Sequence, residues 1–151
     1  MSEVEAIRET VREVARHLED EVLAVGIFGS MARGDFGERS DVDIFVITCR
    51  PFSLEEQDHL YRVFGRAVIP HFGRDVTVLV YDVESLRRVP TWHTLMMIRD
   101  AQFVDDRAGV EALFRRILNE AEAQGIMYDA QEGVFRVCRK GRVVFSLEKQ
   151  P

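Results

Sequence analysis

Apolar residues recur at helical spacing from the start of the chain: Val4, Ile7, Val11, Val14, Ala15 and Leu18, with Glu3, Glu5, Arg8, Arg12 and Arg16 largely opposite. This period predicts an amphipathic helix over residues 2–19. Glu21 to Phe28 is short and apolar, the pattern of a strand buried in the middle of a sheet. Ser30 to Gly34 fits one helical turn, and Asp41 to Thr48, rich in Val, Ile and Phe, reads as a second strand. Past Pro51, Ser53 and Glu56 have capping-box spacing, so a helix starts there with Leu60, Tyr61, Phe64 and Ala67 on its apolar face and a closing turn at Pro70 to Gly73.

The pattern then returns to a strand, Arg74 to Tyr81, followed by Asp82 as the cap of a short helix over Val83 to Val89. Pro90 starts another helix carrying Leu95, Met96, Met97 and Ile98, where the methionines read as core filler. Asp105 and Asp106 cap an amphipathic helix with Val110, Leu113, Phe114, Ile117, Leu118 and Ala121, ended by Gly125. The tail alternates from Val134 to Val137, turns at Arg139 to Arg142 and resumes with Val143 to Phe145, a β-hairpin. Its Arg136, Arg139, Lys140 and Arg142 form a basic cluster, read either as a solvated tip or as a surface facing a partner. Helices and strands alternate without repeat or linker, which predicts one α/β domain over 1–151, with its core over about 1–105 and the helix and hairpin over 106–151. No strand-associated GxGxxG supports a dinucleotide fold.

Composition narrows the chemistry. A chain of 151 residues, 46% hydrophobic and 30% charged, is large enough for a real core. Its net charge of −6 argues against gripping long nucleic acid, which depends on Lys and Arg replacing counterions. Cys49 and Cys138 form no CxxC pair, and His17, His59, His71 and His93 show no metal-ligand spacing. No apolar run approaches a membrane span, and the acidic start lacks a signal peptide's form, so a cytoplasmic protein without membrane partners is expected.

The candidate chemistry lies between the first two strands. Gly29 allows backbone N–H groups close approach to a phosphate, Ser30 adds a hydroxyl, and a helical turn there would present its N-terminus to an anion. Arg33 is then a candidate triphosphate clamp, or else a surface partner of Asp35 or Glu38. Asp41 and Asp43 point to one face of their strand, roughly 6–7 Å apart. Two such hard carboxylates can bracket Mg²⁺, and with a phosphate cradle they suggest chemistry on a nucleoside triphosphate.

Gly29-Ser30, ten residues, then Asp41-x-Asp43 resembles the signature of the DNA polymerase β-like nucleotidyltransferases, most closely the minimal nucleotidyltransferases. Phe28, Ala32-Arg33-Gly34-Asp35 and Ser40 agree with it. The resemblance implies a small, mixed, twisted sheet flanked by helices, and it leaves the C-terminal hairpin uncovered. It implies Asp41, Asp43 and Asp75 as the acidic, metal-holding catalytic set, with Asp75 sharing the metal or taking the acceptor's proton, and Gly29, Ser30, Arg33 and Ser40 on the nucleotide. Asp75 is otherwise a carboxylate in solvent or beside Arg74. By parity it shares a face with Thr77 and Leu79, while Asp82 falls with Val76, Val78 and Val80.

Three functions stay open. The first is Mg²⁺-dependent transfer of AMP from ATP to a protein hydroxyl, as by antitoxins that modify a HEPN-type toxin; the second is transfer to a small molecule, as in aminoglycoside nucleotidyltransferases. The third is a partner-binding module without catalysis. Self-association into a homo-oligomer is compatible with each.

Overall fold

The computed structural model describes residues 1–88, 91–139 and 142–147. In chain order the elements are α1 (Glu3–Arg16), β1 (Val22–Phe28), α2 (Gly29–Arg33), β2 (Val42–Thr48), α3 (Leu54–Phe72), β3 (Val76–Asp82) and α4 (Val83–Leu86). They continue with α5 (Trp92–Asp100), β4 (Gln102–Asp106), α6 (Val110–Ala123), β5 (Ile126–Asp129), β6 (Val134–Arg139) and β7 (Arg142–Leu147). The main sheet has the order β3-β2-β1-β4, with β1 antiparallel to both neighbours and β2 parallel to β3. This is the mixed sheet expected. The hairpin β6-β7 is present, and β5 adds a third strand to it.

Both faces of the main sheet are covered, which is why β1 and β2 read as nearly continuous apolar runs. On one face Ile7 and Val11 of α1 and Leu60, Phe64 and Val68 of α3 pack on Val25, Ile27, Ile44 and Val46. On the other, Met97 and Ile98 of α5 and Val110 and Phe114 of α6 pack on Ala24, Phe45 and Ile47. Phe45 is fully buried, with its ring centroid 5.1 Å from Phe103 and 5.5 Å from Phe114. Gly26 leaves it room, because a Cβ there would collide with the Phe45 ring and the Gln102 carbonyl. Phe45→Ala is expected to cost about 3–5 kcal/mol, read as a lower urea midpoint at unchanged slope.

The helix starts follow their local chemistry. Ser53 and Glu56 form the capping box, with Glu56 N–H donating to Ser53 Oγ (3.1 Å) and Ser53 N–H to Glu56 Oε1 (2.9 Å). Asp82 caps α4 as expected, accepting from Ser85 N–H at 3.2 Å and Ser85 Oγ at 2.5 Å.

Several expectations need correction. α3 runs through Pro70 to Phe72 and stops at Gly73, whose φ of 65° ends it, so the turn at Pro70 is the helix's own last turn. Proline forfeits one N–H bond there and the helix tolerates it so near its end. Asp105 and Asp106 belong to the edge strand β4, although Asp106 still accepts from Val110 N–H (2.8 Å) and Glu111 N–H (3.0 Å) at the start of α6. α5 begins at Trp92 with Thr91 as cap, and α4 ends at Leu86; the expected helix end at Val89 and start at Pro90 lie outside the described residues. So do Lys140 and Gly141 at the hairpin tip, but Arg136 of the basic cluster pairs with Asp129 at 2.9 Å. Among the described residues no helix is long and apolar enough to cross a membrane.

Candidate active site

The site grows from the end of β1. Strand register sets Phe28 opposite Asp43 of β2, and Asp43 opposite Thr77 of β3. The next residue, Gly29, has φ 72°, a conformation that L side chains rarely adopt. An added Cβ would also collide with Asp43 Oδ2. Glycine is therefore required twice, for the turn and for the approach of the backbone to the carboxylate. The short α2 that follows is held by buried Met31, by Gln102 Nε2 donating to Ala32 O (2.8 Å), and by Gly34 N–H donating to Ser30 O (2.9 Å).

Gly29, Ser30, Arg33 and Asp43 line one cavity of about 460 Å³, together with Thr77. The same cavity has an apolar part to its lining, contributed by Phe28, Leu79, Trp92 and Met96. The methionines thus differ. Met97 is buried core as expected, whereas Met96 is half-buried, and both border the cavity. The buried Trp92 Nε1 has no hydrogen-bond partner among the described residues.

Asp43 is half-buried, and burial first, then the charge of Asp41, pushes its carboxyl above the usual range; a Thr77 hydrogen bond and Arg33 pull the other way. A half-buried carboxylate raised in this way beside a second acidic residue is one a divalent cation would relieve. Among the described residues no group of three His, Cys, Asp or Glu side chains is arranged to hold a metal ion. The pair still fits Mg²⁺, which commonly uses one or two carboxylates and completes its shell with water and substrate phosphates.

The other expected residues sit around this centre rather than in the cavity lining. Exposed Asp41 neighbours Asp43 on β2. Asp75 directly precedes β3, and its carboxylate accepts from Val76 N–H (2.8 Å) and from the Tyr61 hydroxyl (3.1 Å). Tyr61 was expected on the apolar face of α3; it is instead exposed, one position round from the buried Leu60 and Phe64, with its hydroxyl on the acidic edge. Ser40, expected on the nucleotide, accepts from Gly37 N–H at 2.8 Å and closes the loop before Asp41.

Two important residues escaped the sequence reading. Arg33 does pair with Asp35 (3.2 Å), but its shorter bond, 2.7 Å, is to Asp100, whose side chain is 3% exposed. Asp100 ends α5, where the helix dipole disfavours a carboxylate, so an acid at that place was itself a hint of a cation. Arg74 is buried, donates to the carbonyls of Gly37 (2.8 Å) and Ser40 (2.8 Å), and pairs with Glu3 at 3.0 Å. These bonds fasten the loop between α2 and β2.

Comparison with known proteins agrees with this geometry. The family model described as a nucleotidyltransferase domain matches residues 7–96, a span that contains Gly29, Ser30, Asp41, Asp43 and Asp75. A protein of Methanocaldococcus jannaschii named "Putative protein adenylyltransferase" is 33% identical over 66 residues, covering 44% of this chain and 67% of that protein. Among solved structures, a toxin-antitoxin complex with AMP-PNP superposes with a TM-score of 0.54 at 15% identity, over 77% of this chain and 93% of that one. A Shewanella oneidensis complex of a tri-AMPylated HEPN toxin with its MNT antitoxin gives 0.51 at 14% identity, over 80% and 93%. These two likenesses speak for the fold. The glycine turn, the Asp-x-Asp strand and most of the cavity all lie inside the matched span, and the chain belongs to the nucleotidyltransferase domain family, as an enzyme of that class.

Proposed function

We propose that this enzyme moves AMP from ATP to a hydroxyl group of a protein. The observation that carries the reading is one cavity lined by the Gly29-Ser30 turn, Arg33 and Asp43 together with apolar Phe28, Leu79, Trp92 and Met96. Its size falls within the few hundred to about 1,000 Å³ usual for small-molecule sites, and its mixed polar and apolar lining suits a nucleotide with a charged and an aromatic end. In this reading Gly29 and Ser30 bind the triphosphate. Arg33 keeps its bond to Asp100 and exchanges Asp35 for phosphate. Asp41 and Asp43 would hold Mg²⁺, which when bound neutralises charge on the phosphates. Asp75 accepts the proton of the attacking hydroxyl, the α-phosphorus is attacked in line, and pyrophosphate leaves.

A protein acceptor is favoured because Asp75 lies on an exposed edge rather than in the cavity lining, so an incoming hydroxyl must bring its own surroundings. The M. jannaschii relative is named for protein adenylylation, and the S. oneidensis neighbour is an antitoxin bound to an AMPylated HEPN toxin. By that likeness the acceptor is a HEPN-type toxin and this chain its antitoxin. Intact mass spectrometry tests the acceptor class. After incubation with ATP and Mg²⁺, a HEPN-type protein encoded beside this gene should gain AMP, while aminoglycosides supplied in its place should not; efficient modification of the aminoglycoside alone would reverse the assignment.

A further inference from the structure

We infer that Tyr61 of this chain is itself an acceptor, so that the enzyme can place AMP on its own α3. The inference rests on the nucleotidyl-transfer reading above and adds a modification site to it. Tyr61 is 39% exposed, and its hydroxyl donates to Asp75 Oδ1 at 3.1 Å. That is the hydrogen bond an attacking hydroxyl needs with the group that receives its proton. Asp41 links this edge to the nucleotide cavity: the parallel pairing of Val42 with Val76 and the Val42 N–H bond to Asp75 O (2.9 Å) set Asp41 beside Asp75 at the strand starts, and Asp43, two residues on, lines the cavity. The three carboxylates therefore run along the end of β2 and β3, with the tyrosine hydroxyl at their outer end.

The position is not explained by packing. α3 buries Leu60, Phe64 and Val68 in the core, and Tyr61 stands outside that stripe, exposed like Ile69 about two turns further on. A tyrosine there has no structural need to lean on Asp75. It occupies the place that the reading above gives to an external hydroxyl, and it is held by the same base.

The step balances without another reactant. Tyr61 Oη forms a bond to the α-phosphorus of ATP, the bond between that phosphorus and the bridging oxygen to the β-phosphorus breaks, and pyrophosphate leaves with the electron pair. The hydroxyl proton passes to Asp75 Oδ1. The product is a tyrosyl-AMP phosphodiester that frees Asp75 from its internal partner.

Peptide mapping by mass spectrometry after incubation of the isolated full chain with ATP and Mg²⁺ tests this. The expected result is one AMP per chain on Tyr61, at a rate per chain independent of protein concentration, and no adduct in Tyr61→Phe, whose thermal midpoint should match wild type because the side chain is exposed. Equal labelling of Tyr61→Phe, AMP mapped to another residue, or a rate rising with protein concentration would overturn the proposal. So would wild-type chain without AMP. In that case equilibrium dialysis with ATP separates the two levels: retained ATP binding removes only this inference, and lost binding removes the nucleotide reading as well.

Discussion

Asp41→Asn with Asp43→Asn is expected to reduce AMP transfer by at least about 10³-fold, since a catalytic metal supplies several kcal/mol of transition-state stabilisation and each 1.4 kcal/mol is tenfold. The amides keep the shape of the carboxylates and remove the charge that would hold Mg²⁺. The same variant should be more stable than wild type in metal-free buffer at neutral pH. Folding raises the Asp43 carboxyl above its unfolded range through burial and the charge of Asp41. A raised group gives a contribution that is fully present below the unfolded value and lost as pH rises through the folded one. At neutral pH wild type therefore bears the cost of an ionised, half-buried Asp43, and the variant does not. Mg²⁺ should raise the thermal midpoint of wild type and leave the variant's unchanged, because only a species bound by the folded state stabilises it. Thermal melts with and without Mg²⁺, run beside the transfer assay, read both effects; a destabilised variant, or one that keeps wild-type turnover, would contradict the metal assignment.

The second large effect separates two carboxylates that bracket the same strand. Asp75→Asn is expected to lower transfer by about 10²–10⁴-fold, the usual contribution of a positioned proton acceptor, with ATP binding retained. Asp82→Ala should leave turnover near wild type and lower stability by about 1 kcal/mol, the typical cost of removing a helix cap. The structure supplies the reason: Asp82 is engaged with Ser85 at the start of α4, at the opposite end of β3 from the cavity. Asp75 holds a tyrosine hydroxyl at the near end. Equal losses of activity in two folded variants would refute the division of roles.

The parts of the site that were legible in the sequence are those joined by short spacing. Gly29 and Ser30 follow β1 directly, and Asp41, just before β2, stands two residues from Asp43 on it, so turn chemistry and strand alternation were enough to pair them. Alternation also placed Thr77 and Leu79 on the face that lines the cavity. What alternation lacks is a partner's identity. Asp100 meets Arg33 across 67 positions, and Arg74 meets the Gly37 carbonyl across 37. Neither contact leaves a periodic trace. Tyr61 was placed inward because it adjoins Leu60, yet one step along a helix is about 100° of rotation, enough to carry it from the core to the acidic edge.

The missed strands have a similar cause. β4 has only five residues, two of them aspartates that look like helix caps, and what makes it a strand is pairing with β1, where Gly26 meets Phe103 and Ile27 meets Gln102. β5 has four residues immediately after Gly125 and exists through its ladder to β6. Strands this short are fixed by their neighbours rather than by their own composition.

Nucleotidyl transfer to a protein is tested most directly by the position of the label. The enzyme, Mg²⁺ and the HEPN-type partner are incubated in parallel with ATP labelled at the α-phosphate and at the γ-phosphate, and protein-bound label is counted after denaturation. Label from the α-phosphate alone, with pyrophosphate released in equal amount and both signals lost in the Asp41→Asn, Asp43→Asn variant, is the expected result. Protein-bound label from the γ-phosphate, or none from either position while ATP still binds, would contradict it.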